Sequence, residues 1–436
     1  MKISVIGGGP VGLVTAGGMA LFGYDVVCVE KDAGRLSCLL EGHLPFYEPD
    51  LKELIRTQCD NKRLKFCRSI ETCTMDNSLV FICVDSPILP AGRLDASGVY
   101  DAVLGFVSKC RPSAVVVRST VPVGTAKLLQ QKLQHLRGSC SAPTVVYNPE
   151  FMREGRAVED FLSPSRVIIG TENSHAAKIL RDVYEVGLPK ETPVMVTDSA
   201  SAELIKLASN AFIAMELSFV NELSDLCGSL RIQGSEVVRG MSLDPRVGIG
   251  ELSPGPGWGG PCLAKDASEL VAFAAERNLQ FKLIESAIES NARRIDVIAE
   301  RIATILDDIC TSRIALLGLT FKANTSDLRN SPALAIAERL IAMGAEISAF
   351  DPTVGNSDSI GIHRLRLADS PYDAARETDC LLVLTEWDEF ADLNIERVAK
   401  SMRGRTIVDL RARLDRKSIE NLGLRYFGLG NLGLDT

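Results

Sequence analysis

Short runs of apolar residues alternate with amphipathic stretches along most of the chain, and this pattern predicts an α/β fold. A buried strand is predicted at 1–5, followed by a glycine-rich turn, a helix over 14–22 and a second strand at 25–30. Strands that alternate with helices in this way favour a parallel, doubly wound sheet. Further strands of this first part are predicted at 78–84, 114–118, 144–147 and 166–170.

The pattern changes near Asp198, where either Asp198 or Ser199 can cap a helix of about 30 residues. From 204 to 220 this helix is apolar on nearly every face. A helix with that pattern is expected to be buried, either between domains or against a partner chain. Two further helices are predicted at 267–277 and 281–306.

A second α/β pattern opens at Arg313, with strands predicted at 314–317, 346–350, 380–384 and 406–409. We therefore predict an α/β fold with two Rossmann-like doubly wound domains joined by a long central helix and a helical domain. The predicted boundaries are 1–197 for the first α/β domain, 198–305 for the helical domain and 306–436 for the second α/β domain.

Composition narrows the class of protein. The 436 residues suffice for two or three domains, and 46% apolar with 24% charged residues is typical of a globular protein. The net charge of −8 argues against a nucleic-acid surface or a basic membrane-binding helix, and no apolar run of about 18 residues would span a membrane. The first 29 residues are apolar enough for a signal peptide, but their strand-turn-helix pattern favours a folded domain.

The twelve cysteines form no C-x-x-C pair, which argues against a zinc site or an iron–sulfur cluster. We expect no metal site. The irregular spacing in so long a chain also argues against a disulfide scaffold, so a reducing cytoplasm is the expected compartment.

Residues Gly7–Gly12 match the pattern G-x-G-x-x-G directly after the first predicted strand. Glycines there permit a tight turn, the approach of a pyrophosphate and close helix packing, although the same residues could form a merely structural turn. Glu30 ends the next strand, where an acid can bind a ribose hydroxyl and repel a 2′-phosphate. This favours NAD over NADP, a preference that Lys31 and Arg35 weaken.

A glycine-rich turn at 255–260 precedes Cys262, and Lys265 and Asp266 follow three and four residues later. If a helix begins after Pro261, Cys262 lies at its N-terminus, where the helix dipole favours a thiolate. Asp266 is then one turn further along. The arrangement suits covalent catalysis on a carbonyl group, and the alternative is a tight turn with a buried, inert cysteine.

Two other groups of polar residues are candidates for chemistry. Lys206 and Asn210 lie four residues apart on the long apolar helix, where a lysine should be paired or functional and an asparagine can donate to an oxyanion. Alternatively, Glu203 pairs with Lys206 on a solvated face. Glu150 and Arg153 follow a strand, and they form either a costly buried site or a surface ion pair.

Taken in order, these motifs resemble the UDP-glucose/GDP-mannose dehydrogenase family over essentially the whole chain. The segments that carry the resemblance are 119–125, 148–155, 206–210, 255–266 and 321–332. The resemblance implies oxidation of the primary alcohol of a nucleotide sugar to a carboxylate with two NAD. UDP-glucose is the favoured substrate, with GDP-mannose and UDP-2-acetamido sugars as alternatives. The first domain would bind NAD, and the helical domain would form the dimer and carry the catalytic cysteine. The last domain would bind the nucleotide of the sugar substrate.

The resemblance also implies roles for single residues. Cys262 would attack the aldehyde to form a thiohemiacetal, which is oxidised to a thioester and hydrolysed. Lys206 and Asn210 would stabilise the developing oxyanion.

Hydrolysis would depend on Asp266 and Thr120, which would hold the water, and on Glu150 as the base. The residues implied to bind NAD are Gly7, Gly9, Val11, Gly12, Glu30, Lys31, Arg35, Val84, Ser86, Ser119, Thr120, Glu154, Lys265 and Arg329. The residues implied to bind the nucleotide sugar are Phe151, Met152, Arg153, Glu154, Lys206, Asn210, Arg246, Gly255, Trp258, Gly259, Phe321, Lys322 and Arg411.

By the same resemblance the protein would be a homodimer with the long helix at its core. Arg246 would reach a neighbour's substrate and Arg329 a neighbour's cofactor. The chain departs from the family pattern at Pro10, at Asp85 and at Glu251, which leaves the identity of the sugar open.

Two other functions stay open. A two-electron β-hydroxyacid dehydrogenase would use Lys206 and Asn210 but would need no thiol. A non-catalytic nucleotide sensor on the same fold would be expected to lack Cys262, Lys206 or Asp266. The presence of all three favours the four-electron oxidation.

Overall fold

The computed structural model describes residues 1–69, 79–138, 141–248, 253–355, 360 and 362–432. The chain forms two compact units: Met1–Ser209 with Ser268–Gln280, and Asn210–Ala267 with Phe281–Thr436. Two helices cross the boundary between them, α8 (Ser199–Ser229) and α10 (Leu263–Ala275).

The strands of the first unit are β1 (Lys2–Ile6), β2 (Asp25–Val29), β3 (Leu64–Cys67), β4 (Leu79–Ile82), β5 (Ala114–Val117), β6 (Thr144–Tyr147), β7 (Val167–Gly170) and β8 (Val194–Thr197). Its helices before α8 are α1 (Pro10–Leu21), α2 (Ala33–Leu40), α3 (Leu51–Asp60), α4 (Ser97–Lys109), α5 (Thr125–Arg137), α6 (Ala157–Leu162) and α7 (Ser174–Glu185). These strands form one sheet in the order β3-β2-β1-β4-β5-β6-β7-β8, parallel except where β7 runs against β6.

The order of this sheet reverses between β1 and β4, and the crevice at the carboxyl ends of these strands is where such folds bind ligands. Gly7 turns the chain there with a φ of +109°, and a Cβ on it would lie 2.5 Å from the carbonyl oxygen of Cys83. A Cβ on Gly12 would lie 1.8 Å from the carbonyl oxygen of Gly7. Both positions therefore require glycine. The helix begins at Pro10 rather than at the predicted 14, because proline is well tolerated at the first helical position.

The segment Ser268–Gln280 returns to the first unit late in the chain. Its anchor is Glu269, which is fully buried. The Glu269 carboxylate accepts hydrogen bonds from the backbone N–H of Leu94 at 2.6 Å and from Nε of Arg93 at 3.0 Å. A buried carboxylate needs such partners, so this ion pair fixes α10 against the loop that precedes α4.

The second unit repeats the same architecture. Its strands are β9 (Arg313–Leu317), β10 (Glu346–Phe350), β11 (Leu365–Leu367), β12 (Cys380–Val383), β13 (Thr406–Asp409) and β14 (Arg425–Gly428). Its helices besides α8 and α10 are α9 (Gly234–Ser242), α11 (Lys282–Ile305), α12 (Pro332–Ala342), α13 (Pro371–Ala374), α14 (Asp388–Ala391), α15 (Ile395–Ser401) and α16 (Arg416–Asn421). The strands form a wholly parallel sheet in the order β11-β10-β9-β12-β13-β14, which reverses between β9 and β12.

The prediction of two doubly wound sheets is confirmed, but four strands were missed. They are β3, β8, β11 and β14, which are the edge strands of the two sheets. Central strands such as β4 and β5 are buried along their whole length and read as continuous apolar runs. The edge strands are partly exposed, so they lack that signal.

The long helix was correctly predicted, and α8 has 31 residues. Asp198 caps it, because its carboxylate accepts a hydrogen bond from the backbone N–H of Ser201 at 2.8 Å. Within the single chain α8 is not buried on every side, since it exposes a row of apolar side chains: Leu204, Phe212, Ile213, Phe219 and Leu226. In the part of the chain that the structure describes, no helix combines the length and apolar character needed to cross a bilayer.

Candidate active site

A buried ion pair joins two of the predicted catalytic residues of the first unit. Nζ of Lys206 on α8 is 2.8 Å from Oε1 of Glu150 and also donates to the backbone oxygen of Glu150 at 2.8 Å. Both side chains are less than a tenth exposed. The alternative in which Lys206 pairs with Glu203 on a solvated face is therefore wrong.

The charge of Glu150 depends on its partners. Burial by itself raises the pKa of this carboxyl, but the Lys206 ammonium, the backbone N–H of Met152 and the charge of Arg118 outweigh burial. The net pKa of Glu150 is lowered, so the group is a carboxylate at neutral pH. In that state it can accept a proton.

Phe151 and Arg153 follow Glu150 and have different surroundings. The ring of Phe151 has the guanidinium of Arg166 3.9 Å from its centroid and the ammonium of Lys206 at 5.4 Å. Such contacts favour a cation over the ring face. Arg153 lies at the surface in a bidentate ion pair with Asp160. For Arg153 the surface ion pair is therefore what the structure contains, while Glu150 is buried.

Cys262 directly precedes α10, in the second unit, as the sequence predicts. The backbone N–H of Asp266 donates to the carbonyl oxygen of Cys262 at 2.9 Å, which closes the first helical turn. Cys262 is exposed, so the alternative of a buried cysteine is wrong. The positive end of the helix dipole favours a negative sulfur at this position.

Asp266 is fully buried one turn beyond Cys262. Its carboxylate accepts a hydrogen bond from Nδ2 of Asn210 at 2.6 Å and lies 3.1 Å from Nζ of Lys265. The amide nitrogen of Asn210 carries two hydrogens, and Asp266 takes one of them. Asn210 can therefore be held by Asp266 and donate its second hydrogen elsewhere.

The glycine-rich turn fits against the carboxyl end of the second sheet. A Cβ on Gly255 would lie 2.5 Å from Nη1 of Arg411, and a Cβ on Gly260 would lie 2.7 Å from the ring of Phe321. A Cβ on Gly259 would lie 2.2 Å from the carbonyl oxygen of Asn330. The turn thus brings Gly255, Arg411 and Phe321 together, three of the residues predicted to bind the nucleotide sugar.

Trp258 in the same turn is buried, and its indole N–H donates to Oγ of Ser218 on α8 at 2.9 Å. The backbone N–H of Gly255 donates to Oδ1 of Asn221 at 2.8 Å, and its carbonyl oxygen accepts from Nε of Arg294 at 2.8 Å. Neither Asn221 nor Arg294 was predicted as a site residue. The available signal was helical spacing, because Ser218 and Asn221 repeat at three residues on a largely apolar helix.

The cradle predicted for NAD fits that cofactor. A Cβ on Gly9 would meet nothing within 4 Å, so a pyrophosphate has room to approach the turn before α1. Glu30 is buried and accepts from the backbone N–H of Gly8 at 2.9 Å and from Arg35 at 3.1 Å. Oγ of Ser86 is buried and has no hydrogen-bond partner among the described residues.

The remaining candidates lie in varied surroundings. Arg246 and Arg329 are exposed and pair with Asp244 and Asp327, respectively. Nζ of Lys322 lies 5.6 Å from the ring centroid of Phe321. Five candidates are half-buried: Val11, Val84, Thr120, Met152 and Glu154. Lys31 is exposed. Ser119 is buried, and its hydroxyl donates to the carbonyl oxygen of Val84 at 2.6 Å. Glu251 lies outside the described residues.

Comparison with known families gives three matches. Residues 1–187 match the NAD binding domain of the UDP-glucose/GDP-mannose dehydrogenase family. Residues 200–293 match the central domain of that family, and residues 315–416 match its UDP binding domain. The three matches follow the chain in the order that the sequence analysis expected.

Individual relatives match over nearly the whole chain. The UDP-glucose 6-dehydrogenase of Rhizobium meliloti is 39% identical over 435 residues, which is 99% of each chain. The solved UDP-glucose dehydrogenase of Pyrobaculum islandicum is 29% identical with a TM-score of 0.88, covering 98% of this chain and 97% of that one. The solved UDP-D-ManNAc dehydrogenase of Pyrococcus horikoshii is 26% identical with a TM-score of 0.85 over the full length of both chains.

The Lys206–Glu150 pair yields a stability prediction with a defined sign. Lys206→Met should lower the free energy of unfolding by about 3–5 kcal/mol at pH 8, because it leaves a buried carboxylate without its counter-ion. In the wild type the pKa of Glu150 is lowered, so its contribution is present above the unfolded-state pKa and is lost as the pH falls through the folded-state pKa. In the variant, burial without the ammonium raises the pKa of Glu150, so the carboxyl is more readily protonated at pH 5. The loss of unfolding free energy should therefore be smaller at pH 5 than at pH 8. Urea unfolding at both pH values measures this.

Two further variants complete this test. Glu150→Gln combined with Lys206→Met removes both charges and should recover most of the loss at pH 8. Lys178→Met breaks an exposed pair with Asp182 and should cost less than about 0.5 kcal/mol. Equal losses at the two pH values, or a double variant as unstable as the single one, would contradict the prediction.

Proposed function

We propose that this chain, which belongs to the UDP-glucose/GDP-mannose dehydrogenase family, oxidises UDP-glucose to UDP-glucuronate. It is an NAD-dependent nucleotide-sugar dehydrogenase. The observation that carries the choice of UDP-glucose is the identity over the full length to relatives named UDP-glucose 6-dehydrogenase. GDP-mannose and UDP-2-acetamido sugars are the alternatives, because a structurally similar relative is named for a UDP-N-acetyl sugar.

The proposed reaction needs a thiol. An aldehyde can lose a second hydride only after a nucleophile adds to its carbonyl carbon, and exposed Cys262 at the start of α10 supports that role. Addition of the Cys262 sulfur forms a C–S bond and a thiohemiacetal. Loss of a hydride converts this to a thioester, and water then breaks the C–S bond to give the carboxylate and the thiol. NAD, when bound, supplies the hydride acceptor for both oxidations.

We propose that the buried polar residues around this chemistry act as follows. Lys206 and Asn210 donate to the oxygen that becomes negative when sulfur or water adds, since Nζ and Nδ2 are the donors that α8 offers on successive turns. Asp266 orients Asn210 and, with Thr120, holds the attacking water. Glu150, which is ionised, takes a proton from that water.

The binding roles are proposals of the same kind. The turn Gly7–Gly12 and the carboxylate of Glu30 would hold NAD, with Ser86 as a further donor. Arg411 and Lys322 follow strands of the second sheet and would bind the nucleotide of the sugar substrate. We propose functional domains at 1–197, 198–305 and 306–436, which the order of the three family matches supports.

We also propose that a second copy of the chain covers the apolar row on α8. Phe212 and Phe219 each expose about half of their surface in the single chain, and burying such side chains is favourable. Exposed Arg246 and Arg329 would then contribute to the partner's substrate and cofactor sites. We propose the cytoplasm as the compartment, since the cysteine pattern is typical of a reducing environment.

The reaction predicts a definite stoichiometry. With UDP-glucose as the limiting substrate, two NADH should form per sugar, because an alcohol loses four electrons on its way to a carboxylate. The measurement is the NADH yield from UDP-glucose, UDP-N-acetylglucosamine, UDP-N-acetylmannosamine and GDP-mannose in parallel. A yield of one NADH per sugar would favour a two-electron dehydrogenase, and two NADH from another sugar would replace UDP-glucose as the substrate.

Substitution of the nucleophile should separate chemistry from binding. Cys262→Ala should abolish acid formation and leave NAD affinity nearly unchanged, and Cys262→Ser should slow turnover by about 10³-fold or more. The Ser variant should also accumulate an ester that mass spectrometry detects on the protein. Cys310→Ser is the matched control, because Cys310 is another exposed cysteine and should be dispensable. Full activity of Cys262→Ala would end the covalent proposal.

The dimer proposal predicts the mass in solution. Light scattering on the wild type should give twice the mass of one chain, and Phe212→Asp should shift it toward one chain because a carboxylate would be buried at the interface. Leu136→Asp at an exposed position on α5 is the control and should leave the mass unchanged. A wild type with the mass of a single chain would refute the proposal.

A further inference from the structure

Glu203 is a buried carboxylate on α8 for which the proposed mechanism has no use. It lies three residues before Lys206, yet its side chain points to another element and is fully buried. Its Oε2 accepts the backbone N–H of Gly124 at 2.5 Å, and its Oε1 accepts the backbone N–H of Ala126 at 2.8 Å. Both N–H groups belong to the start of α5, where the helix dipole favours a negative charge.

The segment that ends at these bonds is 119–125, which connects β5 to α5. Its first residue, Ser119, is held by a hydrogen bond that its hydroxyl donates to the carbonyl oxygen of Val84 at 2.6 Å. Gly124, near its end, has a φ of +99°, a conformation that suits glycine and presents its N–H to Glu203. Thr120 lies between these two fixed points and is half-exposed.

We propose that Glu203 is a positioning residue for the dehydrogenase reaction. Its carboxylate fixes segment 119–125, and with it Thr120, relative to Lys206 on the next turn of the same helix. This inference rests on the proposed function, in which Thr120 and Lys206 both act. The contacts that carry it lie within the first unit.

A carboxylate suits this task better than a neutral side chain. Each of its oxygens accepts one N–H group, so both donors at the start of α5 are satisfied. A protonated acid or a glutamine has one oxygen that only accepts, and its other end presents hydrogen toward a donor. Protonation of Glu203, or the substitution Glu203→Gln, should therefore release one of the two bonds and loosen the segment.

The protonation state of Glu203 changes within the working pH range of an enzyme. Burial raises the pKa of Glu203 to about 7, although the two N–H groups lower it in part. The carboxylates of Glu172 and Asp198 add to the increase, and the hydroxyl of Tyr100 on α4 also faces this group. The segment should thus be held by two bonds above pH 7 and by one below it.

The test compares the kcat of the wild type with that of Glu203→Gln between pH 5.5 and 8.5, at saturating NAD and nucleotide sugar. The ratio of wild type to variant should be close to one at the acidic end, where both side chains are neutral. It should rise to about tenfold at the alkaline end, which is the effect of one hydrogen bond, with a midpoint near pH 7. The KM for the nucleotide sugar should change little.

A control on α5, the helix whose start Glu203 binds, separates positioning from general destabilisation. Gln130→Ala removes the bond from the backbone N–H of Val145 to Gln130 at 2.7 Å and the bond from Nε2 of Gln130 to the carbonyl oxygen of Pro143 at 3.3 Å, and both partners lie outside segment 119–125. Its kcat ratio to the wild type should not vary with pH. A ratio for Glu203→Gln that is likewise independent of pH, including a ratio of one, would overturn the proposal.

A second measurement needs no catalysis and keeps the proposal testable if the proposed function fails. Hydrogen exchange of the peptide 119–128 should be faster in Glu203→Gln than in the wild type at pH 8, and it should be unchanged in Gln130→Ala. If Glu203→Gln does not fold, the wild type alone suffices. After correction for intrinsic rates, protection of this peptide should rise from pH 6 to pH 8, and constant protection would overturn the proposal. A wild type that forms no NADH refutes only the function.

Discussion

A polar side chain that α8 buries needs a hydrogen-bond or ion-pair partner, and this requirement fixes loops of each unit to the helix. In the first unit Glu203 accepts hydrogen bonds from the N-terminus of α5, and Lys206 forms an ion pair with Glu150. In the second unit Asn210 donates a hydrogen bond to Asp266, and Asn221 accepts one from the backbone of the glycine-rich turn. An unpaired polar group inside a protein costs several kcal/mol, so these contacts hold the loops to the helix. The helix therefore positions segments that are distant in sequence.

Two carboxylates in the first unit illustrate how partners set charge. Glu150 and Glu203 are both buried, and burial raises the pKa of each. The ammonium of Lys206 lies against Glu150 and reverses the effect, whereas Glu203 has only backbone N–H groups to offset it. One group is therefore permanently ionised near neutral pH, while the other changes its charge there. Sequence distance gives no hint of this difference, because Glu203 is the closer of the two to Lys206 along the chain.

The sequence indicated the two sheets and the family, but it did not indicate which buried groups meet. Central strands such as β4 and β12 are apolar throughout, so a local pattern identifies them. The edge strand β8 has no fully buried residue and therefore no such pattern. Spacing of four residues placed Lys206 and Asn210 on one face, yet their partners lie 56 residues away, at Glu150 and Asp266, and only the fold brings them together.

The return of Ser268–Gln280 to the first unit has a consequence for synthesis on the ribosome. Glu269 pairs with Arg93 across 176 residues of chain, so the first unit is incomplete until that segment has emerged. At about 5–20 residues per second, translation from the middle of α8 to this segment lasts several seconds. During that interval Arg93 and the backbone N–H of Leu94 lack the Glu269 carboxylate that they bind in the folded unit. The nascent chain thus passes through a partly assembled state in which chaperones have time to bind.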